Sequence, residues 1–139
     1  MNSEIDLHCH STASDGKLSA PDVVSRAAER GVKILAITDH DTVEGFRLGR
    51  EKAAEVGIQL ISGIELSCVW GGITVHIVGL NFDPESDVMR EAEAAQTAAR
   101  ESRSLLIAER VGKRIKQTFD LDAVREYAGG EAIGRPHFA

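Results

Sequence analysis

Five histidines occur in the 139 residues, and they are not scattered. His8 and His10 flank Cys9 in "DLHCHSTASDG" (6–16), with Asp15 a few residues on. Asp39 and His40 are adjacent in "ITDHDT", Glu65 lies in "GIELS", and His76 in "HIVGL". His137 follows Arg135 and Pro136 in "RPHFA". Imidazole nitrogens and carboxylate oxygens together suit zinc, manganese or iron. A glutamate carboxylate can also bridge two cations, as two-metal hydrolytic sites require. A carboxylate inside the apolar stretch "LISGIELSC" is costly to bury unless it is paired or bound to metal.

Each residue taken singly has an ordinary role. An HxH pair can end a strand in solvent, and a strand histidine such as His76 can be a satisfied core residue. His40 can hydrogen-bond near a helix start. Asp15 in "SDG" reads as a turn residue, Asp22 as a helix cap and Arg135-Pro136 as a loop. The joint placement of HxH, Asp-His, a buried Glu and a strand His in one series is what points to a metal site.

The elements that must position these residues follow from periodicity. "IDLHCH" (5–10) alternates as a strand. His8 and His10 therefore share a face with Asp6, while Cys9 turns to the apolar side with Leu7 and Ile5. "SAPDVVSRAAERG" (19–31) is a helix capped by Ser19, with Asp22 completing a capping box and Gly31 ending it. "KILAITDHD" (33–41) is a strand buried on both faces. A second helix spans 42–57, from a Thr42 cap to Gly57. Strands at 58–70 and 73–80 meet at the Gly71-Gly72 turn. This βαβαββ order implies a parallel sheet ending in a hairpin. In such sheets sites assemble at the carboxyl ends of strands. Residues 85–117 read as helix with a break near Ser102–Ser104, either a solvated helix or a lid. A second short helix follows at 121–130.

Composition excludes several classes. A net charge of −6 argues against a broad electrostatic grip on nucleic acid. No apolar run is long enough to span a bilayer, and Glu4 and Asp6 stand where a basic leader would begin. Two cysteines without a CxxC pair give neither a disulfide framework nor a cysteine zinc site. A cytoplasmic protein is expected.

In this order "DLHCHSTASDG", "ITDHDT", "GIELS", "HIVGL" and "RPHFA" resemble the PHP (polymerase and histidinol phosphatase) domain superfamily. The likeness covers residues 4–83 and again 131–139, and the helical stretch between is similar in kind to the family's small insertion. Within the superfamily the chain looks most like bacterial phosphoesterases acting on nucleoside 3′,5′-bisphosphates and on the 5′ ends of short RNAs. The resemblance implies an α/β fold: the N-terminal part of a distorted (β/α)7 barrel with a helical insertion. The expected division is 1–83 for the barrel part, 84–130 for the insertion and 131–139 for the return to the barrel. It also implies two or three divalent ions of manganese, iron or zinc. His8, His10 and Glu65 would hold the first metal. Glu65 would bridge to a second, held also by His76 and His137. Asp15 and His40 would hold a third. Arg135 would contact substrate phosphate as a catalytic and binding residue, and Asp39 would support a neighbouring ligand.

The activity so implied is metal-assisted phosphomonoester hydrolysis on a nucleotide or a short RNA 5′-phosphate. It should fall in acid, because ligand histidines must be neutral. Family members continue for roughly as long again and carry a later Asp-x-His motif, which is absent here. A truncated chain is therefore expected, with self-association or a second chain completing the barrel. Alternatives are a histidinol-phosphate phosphatase, a polymerase-type exonuclease, or a catalytically incomplete metal-binding fragment or interaction module.

Overall fold

The apolar run around Leu35 becomes the middle strand of a parallel sheet. A computed structural model describes residues 4–116, together with Ala123 and Glu126. Strand β1 (Ile5–Cys9), helix α1 (Ala20–Glu29), strand β2 (Ile34–Ile37), helix α2 (Glu44–Val56) and strand β3 (Gln59–Ile61) follow in turn. Strands β4 (Gly63–Trp70) and β5 (Ile73–Leu80) and helix α3 (Asp87–Ile115) complete the described elements. The three short strands pair in the order β1-β2-β3, all parallel, while β4 and β5 form an antiparallel hairpin.

Sequence dictates the helix ends. The Ser19 hydroxyl accepts from the Asp22 N–H at 3.3 Å, and Pro21 sits in the first turn of α1, where its missing N–H is harmless. Helix α2 ends on Gly57 at φ +76°, the left-handed conformation that glycine adopts without strain. Its start differs from expectation. Val43 occupies the cap position and Thr42 lies one residue earlier, accepting from the Glu44 N–H at 3.1 Å. The Glu93 carboxylate takes over the cap, accepting from the Val43 N–H at 2.8 Å and from the Thr42 hydroxyl at 3.1 Å.

Ala20, Val24, Leu35, Ile37, Ala53 and Ile58 form the core between the sheet and the two helices. Full burial of a side chain such as Leu35 or Ile37 stabilises the fold by roughly 1.5–3 kcal/mol. Gly49 lets α2 approach closely: a Cβ there would lie 3.3 Å from Val24 and from Leu60.

Residues 58–70 are two strands rather than the expected one. The interruption falls at Ser62, just before Gly63, where a Cβ would lie 2.7 Å from the Ile37 carbonyl. The register nevertheless runs through the break. Leu35 faces Leu60, Ala36 faces Ile61, and beyond the break His40 still faces Glu65 in parallel pairing. Past this point the chain peels away as the hairpin, closed by Gly71 and Gly72 at φ +57° and +81°. The register of β1 against β2 also shifts between Asp6 and Cys9.

Helix α3 runs unbroken through Ser102–Ser104, in contrast to the expected break. The Ser102 hydroxyl returns to the Ala98 carbonyl at 3.0 Å, so the serine is accommodated inside the helix. One compact unit runs to Glu93 and a second begins at Ala94, within α3. The helix expected at 121–130 lies outside the described residues except for Ala123 and Glu126, which are helical. The expected barrel return at 131–139, with Arg135 and His137, also lies outside them.

Candidate metal centre

Four imidazoles surround one carboxylate. Glu65, 7% exposed, comes from β4, and His76 from the neighbouring strand β5. His8 lies in β1 and His10 just past its end, His40 stands beyond the end of β2, and Asp15 lies in the loop before α1. Glu65 Oε2 is 2.8 Å from His8 Nε2 and 3.2 Å from His10 Nε2. Its other oxygen, Oε1, is 2.7 Å from His76 Nδ1 and 3.9 Å from His40 Nδ1. On the far side of the same rings, Asp15 lies 3.6 Å from His10 Nδ1 and 3.6 Å from His40 Nε2. His10 and His40 therefore stand between two carboxylates, with ring centres 4.7 Å apart. The expectation that His8 and His10 share a face agrees with their convergence on one oxygen of Glu65.

The electrostatics suit this arrangement. Burial disfavours the Glu65 carboxylate, but hydrogen bonds with His8 and His76, and the fields of His40 and His10, outweigh it. Its carboxyl titrates below the ordinary range. Burial holds His40 below the usual imidazole value, against the opposing pull of Glu65 and Asp15. Cys9 takes no part: it packs against the core, and burial foremost pushes its thiol up to about 12.

Two buried nitrogens test whether a metal fits. His10 Nδ1 and His40 Nδ1 have no hydrogen-bond partner among the described residues. Leaving such an atom unsatisfied costs about 1–3 kcal/mol. A Lewis acid at the cluster would relieve that cost. Three groups of side chains offer donor atoms within 4.8 Å of one another: His8–His10–Glu65, His40–Glu65–His76 and His10–Asp15–His40. Mixed nitrogen and oxygen donors fit a divalent first-row metal.

The backbone registers these donors. Glu65 N–H donates to the Asp39 carbonyl at 3.1 Å, and Asp41 N–H to the Glu65 carbonyl at 3.0 Å. Asp41, at φ +61°, also accepts from the Ser67 N–H at 2.6 Å through its side chain. Sequence reasoning passed over Asp41; its one signal is the Asp-His-Asp spacing in "TDHD". Asp39 does not face the imidazoles. Its buried carboxylate accepts from the Ser11 N–H, the Ser11 hydroxyl and the Ser14 hydroxyl, each at 2.7 Å. Ser11, Ser14 and Gly45 beside it were likewise unmarked by the sequence, apart from the small-residue run "STAS".

The sequence pattern that defines the PHP domain matches residues 6–119. The chain belongs to the PHP domain family. Among curated relatives, a 5′-3′ exoribonuclease of Haemophilus influenzae is 44% identical over 140 residues, covering 100% of this chain and 50% of that protein. A 3′,5′-nucleoside bisphosphate phosphatase of Chromobacterium violaceum is 41% identical, covering 97% of this chain and 47% of that protein. A solved amidohydrolase from Chromobacterium violaceum, with bound sulfate and no metal, superposes with a TM-score of 0.86 at 35% identity. It covers 98% of this chain and 48% of its own. The PHP chain thus spans about half the length of the relatives it matches. Its α/β architecture is a partial PHP fold. No helix among the described residues is long and apolar enough to cross a membrane.

Proposed function

We propose that this PHP chain is a metal-dependent phosphoesterase acting on nucleoside 3′,5′-bisphosphates or the 5′-phosphate ends of short RNA. The observation that carries this reading is Glu65, a single buried carboxylate with each oxygen turned to a different pair of imidazoles. That geometry suits a carboxylate bridging two divalent cations, with His8 and His10 on one side and His40 and His76 on the other. His137, and Asp15 at a further site, complete the proposed ligand set, with manganese, iron or zinc as the metal. Cations bound there supply Lewis acidity and an activated water for phosphoester hydrolysis. Burial keeps the His40 ring toward its neutral, metal-binding form, Glu65 would hold both cations, and Arg135 is the residue proposed to contact the phosphoryl oxygens. The activities of the exoribonuclease and phosphatase relatives support the substrate class.

A second reading is a metal-binding module without turnover. His10 and His40 each belong to two of the three donor groups, and a neutral imidazole offers one lone pair. The described donors therefore cannot fill three sites at once. Self-association, or a second chain completing the barrel, belongs to the same reading. The exposed Val69, Trp70, Ile73 and Ile77 of the hairpin support it. A cytoplasmic location suits the free thiols of Cys9 and Cys68.

Phosphate release from a nucleoside 3′,5′-bisphosphate by the purified chain decides between these readings. Turnover that a chelator abolishes and added Mn²⁺ restores supports the phosphoesterase. Turnover indifferent to chelation overturns it, and bound metal without turnover favours the module.

A further inference from the structure

Asp39 is a buried carboxylate that the proposed reaction leaves unused. Three donors converge on it, and all come from the loop that leads from His10 to Asp15. Oδ1 accepts from the Ser11 N–H and the Ser14 hydroxyl, and Oδ2 from the Ser11 hydroxyl. The loop adds bonds of its own. Ser14 and Gly16 N–H donate to the Ser11 carbonyl at 3.1 and 2.9 Å, and Thr12 N–H to the Leu18 carbonyl at 2.9 Å. The chain folds back so tightly that a Cβ on Gly16 would lie 2.3 Å from the His10 carbonyl oxygen. From the other side, α2 admits the carboxylate only because residue 45 is glycine: a Cβ there would lie 1.9 Å from Asp39 Oδ2.

We infer that Asp39 is a positioning residue, whose clamp on Ser11 and Ser14 sets Asp15 beside His10 and His40. The three donors require an acceptor at this spot, and a charged acceptor makes the stronger bonds. Ser11 is fully buried, so its N–H has no water to turn to if the acceptor is lost. Without the clamp, the loop carrying exposed Asp15 keeps only its internal bonds and is no longer tied to β2's end, while Glu65 and His76 stay fixed by the hairpin register. The inference rests on the metal-centre reading above, and concerns only its His10–Asp15–His40 group.

The test uses Asp39→Ala, Ser14→Ala, Asp39→Asn and Asp15→Ala, with Mn²⁺ titration and hydrogen–deuterium exchange on the whole chain. Asp39→Ala should weaken Mn²⁺ binding about tenfold or more, in the range for removing a group that orients a ligand. It should speed exchange over residues 11–16 and leave 59–80 unchanged. Ser14→Ala, which keeps the buried Ser11 contacts, should do the same by a few-fold. It carries the test if Asp39→Ala fails to fold. Asp39→Asn should recover most of the affinity, since its oxygen can keep the Oδ1 bonds and its amide can donate to the Ser11 hydroxyl. In an Asp15→Ala background, Asp39→Ala should weaken Mn²⁺ binding no further. Wild-type affinity and exchange in both Asp39→Ala and Ser14→Ala overturn the inference, as does an additive loss in the double variant. A wild-type chain that takes up no Mn²⁺ overturns the metal-centre reading, and this inference with it.

Discussion

Glu65 and His76 are diagonal neighbours on one face of the β4–β5 hairpin, and their side chains meet at 2.7 Å. Glu65 pairs across the ladder with Val78, and His76 pairs with Ser67. Two short steps of antiparallel register therefore fix the contact, independently of how β1 and β2 bring in the other histidines.

Glu65→Gln keeps the shape of that side chain and removes its charge. Divalent metal affinity should drop on the order of 100-fold, more than for a residue that only orients a ligand. Isothermal titration with Mn²⁺ reads it directly. Affinity within threefold of wild type would sink the role of Glu65 as the shared ligand.

The metal-free chain should lose stability as the pH falls below about 6.5. Burial first of all holds His40 below its ordinary 6.5, so the unfolded chain takes up that proton sooner and acid favours unfolding. The sign is checked by limits: above 6.5 the ring is neutral in both states and the contribution is fully present, and it is lost between 6.5 and the lower folded value. Glu65 acts the same way at lower pH, because its carboxyl sits below the ordinary 4.5 and must be protonated against its partners. Melting temperatures of the chelator-treated chain should fall from pH 7.5 to pH 5. A rise over that interval would contradict the electrostatics described above.

Asp41→Ala should destabilise the fold by about 2–3 kcal/mol. It takes from a left-handed residue the polar side chain that favours that conformation, and strips the acceptor from the Ser67 N–H. Asp41→Asn, which keeps both features, should cost under about 1 kcal/mol. Urea denaturation of the pair separates them, and equal losses would mean that the charge, not the bond, matters.

Cys9 should resist alkylation in the folded chain. Its thiol is partly buried against the core and pushed up to about 12, so almost no thiolate exists at pH 8. Mass spectrometry after iodoacetamide treatment should find Cys9 modified only when denaturant is present. Rapid labelling of the native chain would place it elsewhere than in the core.

Much of this was legible from residue types and spacing. Apolar runs between capped helices announced the parallel strands, and a glycine pair between alternating segments announced the hairpin. Alternation in "DLHCH" was enough to separate the two histidines from the cysteine. What escaped depended on contacts across the fold. The break at Ser62 comes where residue 63 passes close to the Ile37 carbonyl, a contact that no local pattern encodes. The cap on α2 comes from Glu93, fifty positions later along the chain. "Asp-His" reads identically whether its aspartate faces the cluster or turns away. Only the burial of Ser11 and the glycine at 45 reveal that it turns away.

The tip of the hairpin carries a practical consequence. Trp70 is the one tryptophan in the sequence and is 81% exposed, on the face of β4 opposite Glu65. The chain therefore contains a built-in fluorescent reporter, with red-shifted emission while water surrounds the indole. Anything that settles on the outer face of the hairpin, whether another copy or a separate polypeptide, announces itself as a blue shift. Metal chemistry on the opposite face can be followed without disturbing that signal.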